Sequence, residues 1–235
     1  MTMIQTHLQA VHARVAAACQ AAGRPAGDVT LLAVSKTFGA DAVAEAYAAG
    51  QTAFGENYIQ EGVQKITALR PLPLQWHCIG PIQSNKTRLV AEYFDWVHTV
   101  DRLKVAQRLS EQRPAHLAPL QVCLQVNVDG GANKSGVTPD EALALAQQVA
   151  ALPNLRLRGL MCIPEPTPDF VAACALFMRA RAVFDTLKAA GLTVDTLSMG
   201  MSADLEAAIH AGSTMVRVGT AIFGGRSYPT AGDPA

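Results

Sequence analysis

One pattern limits this chain more than any other: from residue 29 onward, short apolar runs and helix-like segments alternate without interruption. The apolar runs are VTLLAV (29–34), TAF (52–54), WHCIG (76–80), WVHTV (96–100), LQVCLQVNV (120–128), LRLRGLMCI (155–163), DTLSMG (195–200) and TMVRVG (214–219). Helical periodicity fills the spaces at 41–50, 56–69, 84–94, 101–113, 138–152, 168–190 and 203–212. A strand that is apolar on both faces is buried on both faces. Strict alternation with helices requires parallel pairing through right-handed crossovers. Eight such units close into a (β/α)8 TIM barrel. An open doubly wound sheet competes with this reading, but no GxGxxG follows the first strand.

Local signals agree with that frame. Residues 1–24 read as an extra amphipathic helix, stopped by Gly23 and Pro25 and packed on the outside or bottom of the barrel. Thr138, Pro139 and Glu141 spell a capping box, and Ser84 is the expected N-cap of the helix at 84–94. No linker, charge block or low-complexity tract appears, so residues 1–235 are expected to form a single domain.

Composition narrows the function. Lys plus Arg equals Asp plus Glu at 19 each, which gives no basic field for nucleic acid or an anionic membrane. No window offers the ~20 apolar residues of a membrane span, and the N-terminus has no signal-peptide pattern. The five cysteines are widely spaced and without a CxxC pair. They read as small buried hydrophobes of a reducing compartment, and a cytoplasmic protein is expected. His77 and His98 are spaced unlike a metal pair and read as core or rim histidines bonded to backbone. No metal site is expected, and Trp76 and Trp96 read as core anchors.

In such a barrel the active site lies where the strands end. The first strand runs into Ser35, Lys36 and Thr37. The seventh leads into SMGMSAD, which ends in Ser202 and a helix start, and the eighth into RVGTAIFGG, with Arg217, Gly219 and Thr220. Glycines and hydroxyls in the loops after strands seven and eight are either a phosphate site, which this fold often builds there, or only an N-cap at Ser202 and turns. A lysine facing such a phosphate site across the mouth, partly desolvated and near a cation, becomes a nucleophilic amine. A carbonyl compound with a phosphate handle is the matching ligand: pyridoxal 5'-phosphate, or a sugar phosphate in aldolase-type chemistry.

The blocks AVSKT, FGENYIQE, WHCIGPIQSNK, LSMGMSADLEAAI and GSTMVRVGTAIFG resemble the pyridoxal-phosphate homeostasis proteins. These are single-domain relatives of the alanine racemase N-terminal barrel. The resemblance runs from the first strand to about residue 226. It implies that Lys36 binds pyridoxal 5'-phosphate as a Schiff base. It also implies that Ser202, Gly219 and Thr220 hold the phosphate, that Arg217 faces the pyridine nitrogen, that Asn57 lies close to the cofactor, and that Met199 lines its pocket. The implied role is a carrier that buffers the cofactor and supplies it to apoenzymes. The chain departs from the family at Phe38 and Gly39, where a lysine or similar residue and then proline are usual, and at Cys78, where phenylalanine is common. Lys134 matches a second lysine of the family and reads first as a solvated loop residue.

An amino-acid racemase of low activity is the alternative. Racemisation needs a second acid/base on the opposite substrate face. In the two-domain relatives that group comes from a C-terminal β domain, and none is expected within residues 1–235. An arginine at the ring nitrogen also makes a weak electron sink. A carrier rather than an enzyme is therefore the first reading, and a monomer is expected, with a dimer as the alternative.

Overall fold

The structure is a computed structural model that describes residues 2–131 and 135–225. Lys134 lies outside the described residues. The strands β1 (Thr30–Val34), β2 (Ala53–Glu56), β3 (Gln75–Cys78), β4 (Trp96–Val100), β5 (Leu120–Gln125), β6 (Leu155–Met161), β7 (Thr196–Ser198) and β8 (Met215–Val218) form a closed barrel in chain order. Every pairing is parallel, and β1 closes onto β8 with Leu32 beside Arg217. The intervening helices are α2 (Ala40–Ala48), α3 (Ile59–Ala68), α4 (Thr87–Tyr93), α5 (Leu103–Gln112), α6 (Pro139–Ala150), α7 (Phe170–Ala189) and α8 (Leu205–His210). A short helix α9 (Thr220–Phe223) follows β8, and α1 (Met3–Ala21) precedes the barrel.

Side chains alternate across each strand, and the register aligns their parity around the whole barrel. Ala33, Phe54, Cys78, Val97, Val122, Leu160, Leu197 and Val216 face outward into the main core beneath the helices. Leu32, Val34, Ala53, Ile79 and Met215 form a separate inner cluster, and Trp96, Cys123 and Met161 another. The β5–β6 register shifts between Val122 and Cys123, where Arg158 is the extra residue of a bulge. Trp76 and Trp96 are buried, as expected of core anchors.

The starts of α3 and α4 each lie three residues later than the sequence reading places them. Glu56 and Asn57 do not belong to α3: Glu56 completes β2, and the helix begins at Ile59. Ser84 is not the N-cap of α4. The helix starts at Thr87, whose hydroxyl donates to the Ser84 carbonyl, so the polar side chain of the entry turn is a threonine three residues on. In α6 the expected box is present: the Thr138 N–H and hydroxyl both donate to the Glu141 carboxylate. All five cysteines are free, and only Cys174 is partly exposed.

Helix α1 packs outside the barrel against α8 and α9. Arg14 there pairs with Glu206 at 2.8 Å and donates to the Ser202 carbonyl at 3.1 Å. His7 Nδ1 lies 3.0 Å from the Ile222 carbonyl. The first helix thus braces the two loops after β7 and β8.

Candidate functional site

The strand ends meet in one cavity of about 300 Å³ at the C-terminal mouth. Its lining includes Lys36, Asn57, Arg217, Ser202, Gly219 and Thr220. The structure therefore brings together six of the seven residues singled out for the site. Met199 is the exception. It is fully buried in the outer core, and Met201 lines the cavity in its place. The reason is parity: Ser198 points into the barrel, so its neighbour Met199 points out under the helices.

The same parity explains Lys36. Val34 faces inward and Ser35 outward, so Lys36 returns to the mouth of the barrel, where it is half-buried. Outside the barrel, beneath it, lies a buried polar cluster that the sequence did not announce. Lys65 Nζ, from α3, donates to the Ser35 carbonyl at 2.7 Å, to Glu56 Oε1 at 2.8 Å and to Glu61 Oε1 at 2.6 Å. The Ser35 hydroxyl donates to Glu56 Oε1 at 2.6 Å. The Thr37 N–H donates to Glu61 Oε1 at 2.6 Å, and Thr37 sits at φ +70°, a strained backbone for a β-branched residue. The residues on both sides of Lys36 are thus tied down. Glu56 and Lys65 are 0% and 5% exposed, and burial pushes the Glu56 carboxyl up while Lys65 and Ser35 pull it back. The signal available in sequence was a glutamate at a strand end and a lysine one helix turn after Glu61.

Phe38 also acquires a contact. Its ring lies 5.2 Å from that of Phe223, so the segment after β1 closes onto α9. Asn57 is set by a close approach: a Cβ on Gly80 would come within 2.0 Å of the Asn57 carbonyl. Asn57 Oδ1 is buried without a hydrogen-bond partner among the described residues.

Arg217 is 4% exposed and inward-facing on β8. Its Nη1 donates to the Ser198 carbonyl and hydroxyl, both at 2.8 Å, and its Nη2 to the Cys162 carbonyl at 3.0 Å. All three oxygens are neutral, so the bonded guanidinium retains a net positive charge against the cavity. Burial draws its pKa down from the usual arginine value, with Asp204 acting through space in the opposite direction. His77 and His98 are fully buried but not bonded to backbone, contrary to expectation. They bond each other and, at the two ends, Gln75 and Ser198, because their strands place both rings inside the barrel. No group of three or more metal-binding side chains occurs among the described residues.

The lining suits a pyridoxal phosphate group. It offers an amine at Lys36, the unpartnered Asn57 acceptor, a cation at Arg217, and hydroxyls at Ser202 and Thr220. Gly219 leaves a cradle that a Cβ would narrow, at 3.1 Å from the Val34 carbonyl.

Comparison with known proteins agrees. The family model "Alanine racemase, N-terminal domain" matches residues 6–227. The pyridoxal phosphate homeostasis protein of Pseudomonas aeruginosa is 61% identical, over 97% of this chain and 98% of its own. That of Escherichia coli is 53% identical, over 97% and 99%. PipY of Synechococcus elongatus, solved with PLP bound, superposes with a TM-score of 0.81 at 38% identity, over 94% of this chain and 100% of its own. An alanine racemase of Clostridium difficile shares the fold, with a TM-score of 0.74 at 16% identity, and this chain covers 58% of it.

Proposed function

Because this chain belongs to the alanine racemase N-terminal-domain family, alongside the pyridoxal phosphate homeostasis proteins, we propose that it binds pyridoxal 5'-phosphate in the cavity at the C-terminal mouth and serves intracellular homeostasis of that cofactor. The observation that carries this reading is the meeting of Lys36, Arg217, Ser202, Gly219 and Thr220 around one cavity of about 300 Å³. Pyridoxal phosphate supplies an aldehyde, which a lysine amine attacks, and a phosphate, which backbone N–H groups and hydroxyls bind.

The chain's own residues take these roles. Lys36 is the amine, held at the mouth by the ties on Ser35 and Thr37. Ser202, Gly219 and Thr220 hold the phosphate, and Asn57 accepts a hydrogen bond. Arg217 faces the ring nitrogen, donates a hydrogen bond and keeps its proton, since arginine is not deprotonated in proteins. The ring then draws electrons weakly, which favours holding the cofactor over turning over an amino acid. The finer reading is a cytoplasmic carrier that acts as one unit, works as a monomer and hands its cofactor to apoenzymes.

Borohydride reduction of the loaded protein, followed by peptide mapping, tests the site. A pyridoxyl label on Lys36, absent in Lys36→Ala, is the expected result. A label elsewhere, or a protein that takes up no pyridoxal phosphate, would overturn it. Transfer to an apoenzyme, measured against turnover of D- and L-alanine, separates the carrier from the racemase.

A further inference from the structure

A continuous line of hydrogen bonds crosses the barrel interior beneath the cavity. Gln75 Oε1 lies 3.0 Å from His77 Nε2, His77 Nδ1 lies 2.9 Å from His98 Nε2, and His98 Nδ1 lies 2.9 Å from Ser198 Oγ. Ser198 Oγ in turn accepts from Arg217 Nη1 at 2.8 Å. The three side chains between Gln75 and Arg217 are 0% exposed. Four strands contribute: β3, β4, β7 and β8.

The chemistry of the Gln75 end fixes the direction of the whole line, and the Arg217 end is compatible with it. An amide oxygen only accepts, so His77 Nε2 carries the proton that points at Gln75. A neutral His77 then offers Nδ1 as an acceptor, and His98 Nε2 must donate to it. His98 Nδ1 is left as an acceptor, and the Ser198 hydroxyl donates to it. At the other end a guanidinium only donates, so Ser198 Oγ receives from Arg217 and keeps its own proton available for His98. The Gln75 end sets the sense, the Arg217 end accommodates it, and every group is satisfied with both imidazoles neutral. Burial favours the neutral rings as well: it pushes His77 down to about 3, and it pushes His98 well down, helped by His77 and Arg217. The stacking of His77 on Trp96, with centroids 5.1 Å apart, holds the ring plane.

We propose that His77, His98 and Ser198 are positioning residues, a one-way ladder of hydrogen bonds that sets the tautomers of two buried histidines and aims the Arg217 guanidinium at the cavity. Arg217 commits three of its five N–H groups to Ser198 and Cys162, which leaves Nε–H and one Nη2–H for a ligand. The consequence for the cofactor rests on the function proposed above. A guanidinium that cannot swing or be replaced by water would donate to the ring nitrogen and leave that nitrogen an unprotonated acceptor.

The test has an arm that needs no cofactor. With ¹⁵N-labelled histidine, ring-nitrogen NMR of the ligand-free protein should show His77 and His98 as neutral Nε2–H tautomers, unchanged between about pH 5 and pH 8. An Nδ1–H tautomer at either ring, or titration of either in that range, would overturn the ladder. Ser198→Ala removes the hydroxyl shared by His98 and Arg217. It should leave His98 as the Nε2–H tautomer, since the Gln75 end still sets the sense, but move the ¹⁵N resonance of a His98 Nδ1 that has lost its donor, weaken pyridoxal phosphate binding about 5- to 10-fold, and shift the pH profile of the bound cofactor's visible spectrum. Ser198→Thr, which keeps the hydroxyl, should restore all three. If Ser198→Ala leaves affinity and spectrum unchanged, the positioning role is wrong. If the wild type takes up no pyridoxal phosphate, the functional reading fails separately, and the His98 spectra of wild type and Ser198→Ala still decide the ladder: an Nδ1 resonance that moves in Ser198→Ala supports it, and one that stays in place overturns it.

Discussion

Lys65 shows how a single residue outside the cavity governs one inside it. Its ammonium is buried with Glu56, and it also holds the Ser35 carbonyl one residue before Lys36. A buried ion pair broken on one side leaves an uncompensated charge, at a cost of about 3–5 kcal/mol. Lys65→Met should therefore lower stability by about that amount in urea unfolding. Adding Glu56→Gln should recover most of the loss, because the stranded carboxylate is gone. Cofactor affinity should stay reduced in the double variant, since the tie to Ser35 is still missing. A double variant as unstable as the single one would mean that packing, not charge, is the source.

Among the elements, β6 carries the tightest constraint. Gly159 lies beside the Arg158 bulge at φ +150°, and an added Cβ would meet the Thr196 carbonyl at 1.8 Å. Gly159→Ala must separate β6 from β7, and we expect a loss of at least ~3 kcal/mol. Gly191, at the end of α7, is the control. It has φ +85° and nothing within 4 Å of an added Cβ, so Gly191→Ala should cost only ~1–2 kcal/mol for its left-handed backbone. Equal losses in chemical denaturation would show that conformation alone, not crowding, matters at Gly159. Helix α1 makes a second point at this scale. Through Arg14 and His7 it holds the Ser202 and Ile222 carbonyls, after β7 and β8, so Arg14→Ala should weaken cofactor binding a few-fold although Arg14 does not line the cavity, as spectral titration would show.

The molecule as a whole carries a pH signature in its interior. An exposed histidine in the unfolded chain titrates near 6.5, whereas His77 and His98 stay neutral in the fold. The unfolded state therefore binds more protons below pH ~6.5, and stability must fall as pH drops through that value. Each ring contributes a slope of up to about 1.4 kcal/mol per pH unit until its folded pKa, about 3 for His77, is reached. Glu56 acts with the opposite sign, because a carboxyl pushed up by burial gains stability as pH falls. The net loss between pH 7 and pH 5 should be roughly 2–4 kcal/mol. A urea midpoint that stays flat across that range would mean that the histidines accept protons in the folded barrel.

What the sequence determined by itself was everything that depends on local pattern. Eight apolar runs alternating with helices specify the parallel barrel and its order, because each run must be buried on both faces and each crossover has one hand. The same order puts Lys36, Asn57, Ser202, Arg217, Gly219 and Thr220 at one mouth. The tertiary structure alone decided which way side chains turn and what they meet. Met199 went to the core and Met201 to the cavity, since strand parity depends on a register that only the closed barrel imposes. The Lys65–Glu56–Glu61 cluster and the His77–His98–Ser198 ladder join residues up to 121 positions apart in sequence, on elements that touch only after closure. Their hydrogen bonds gain strength from a dry interior that no local window of sequence contains.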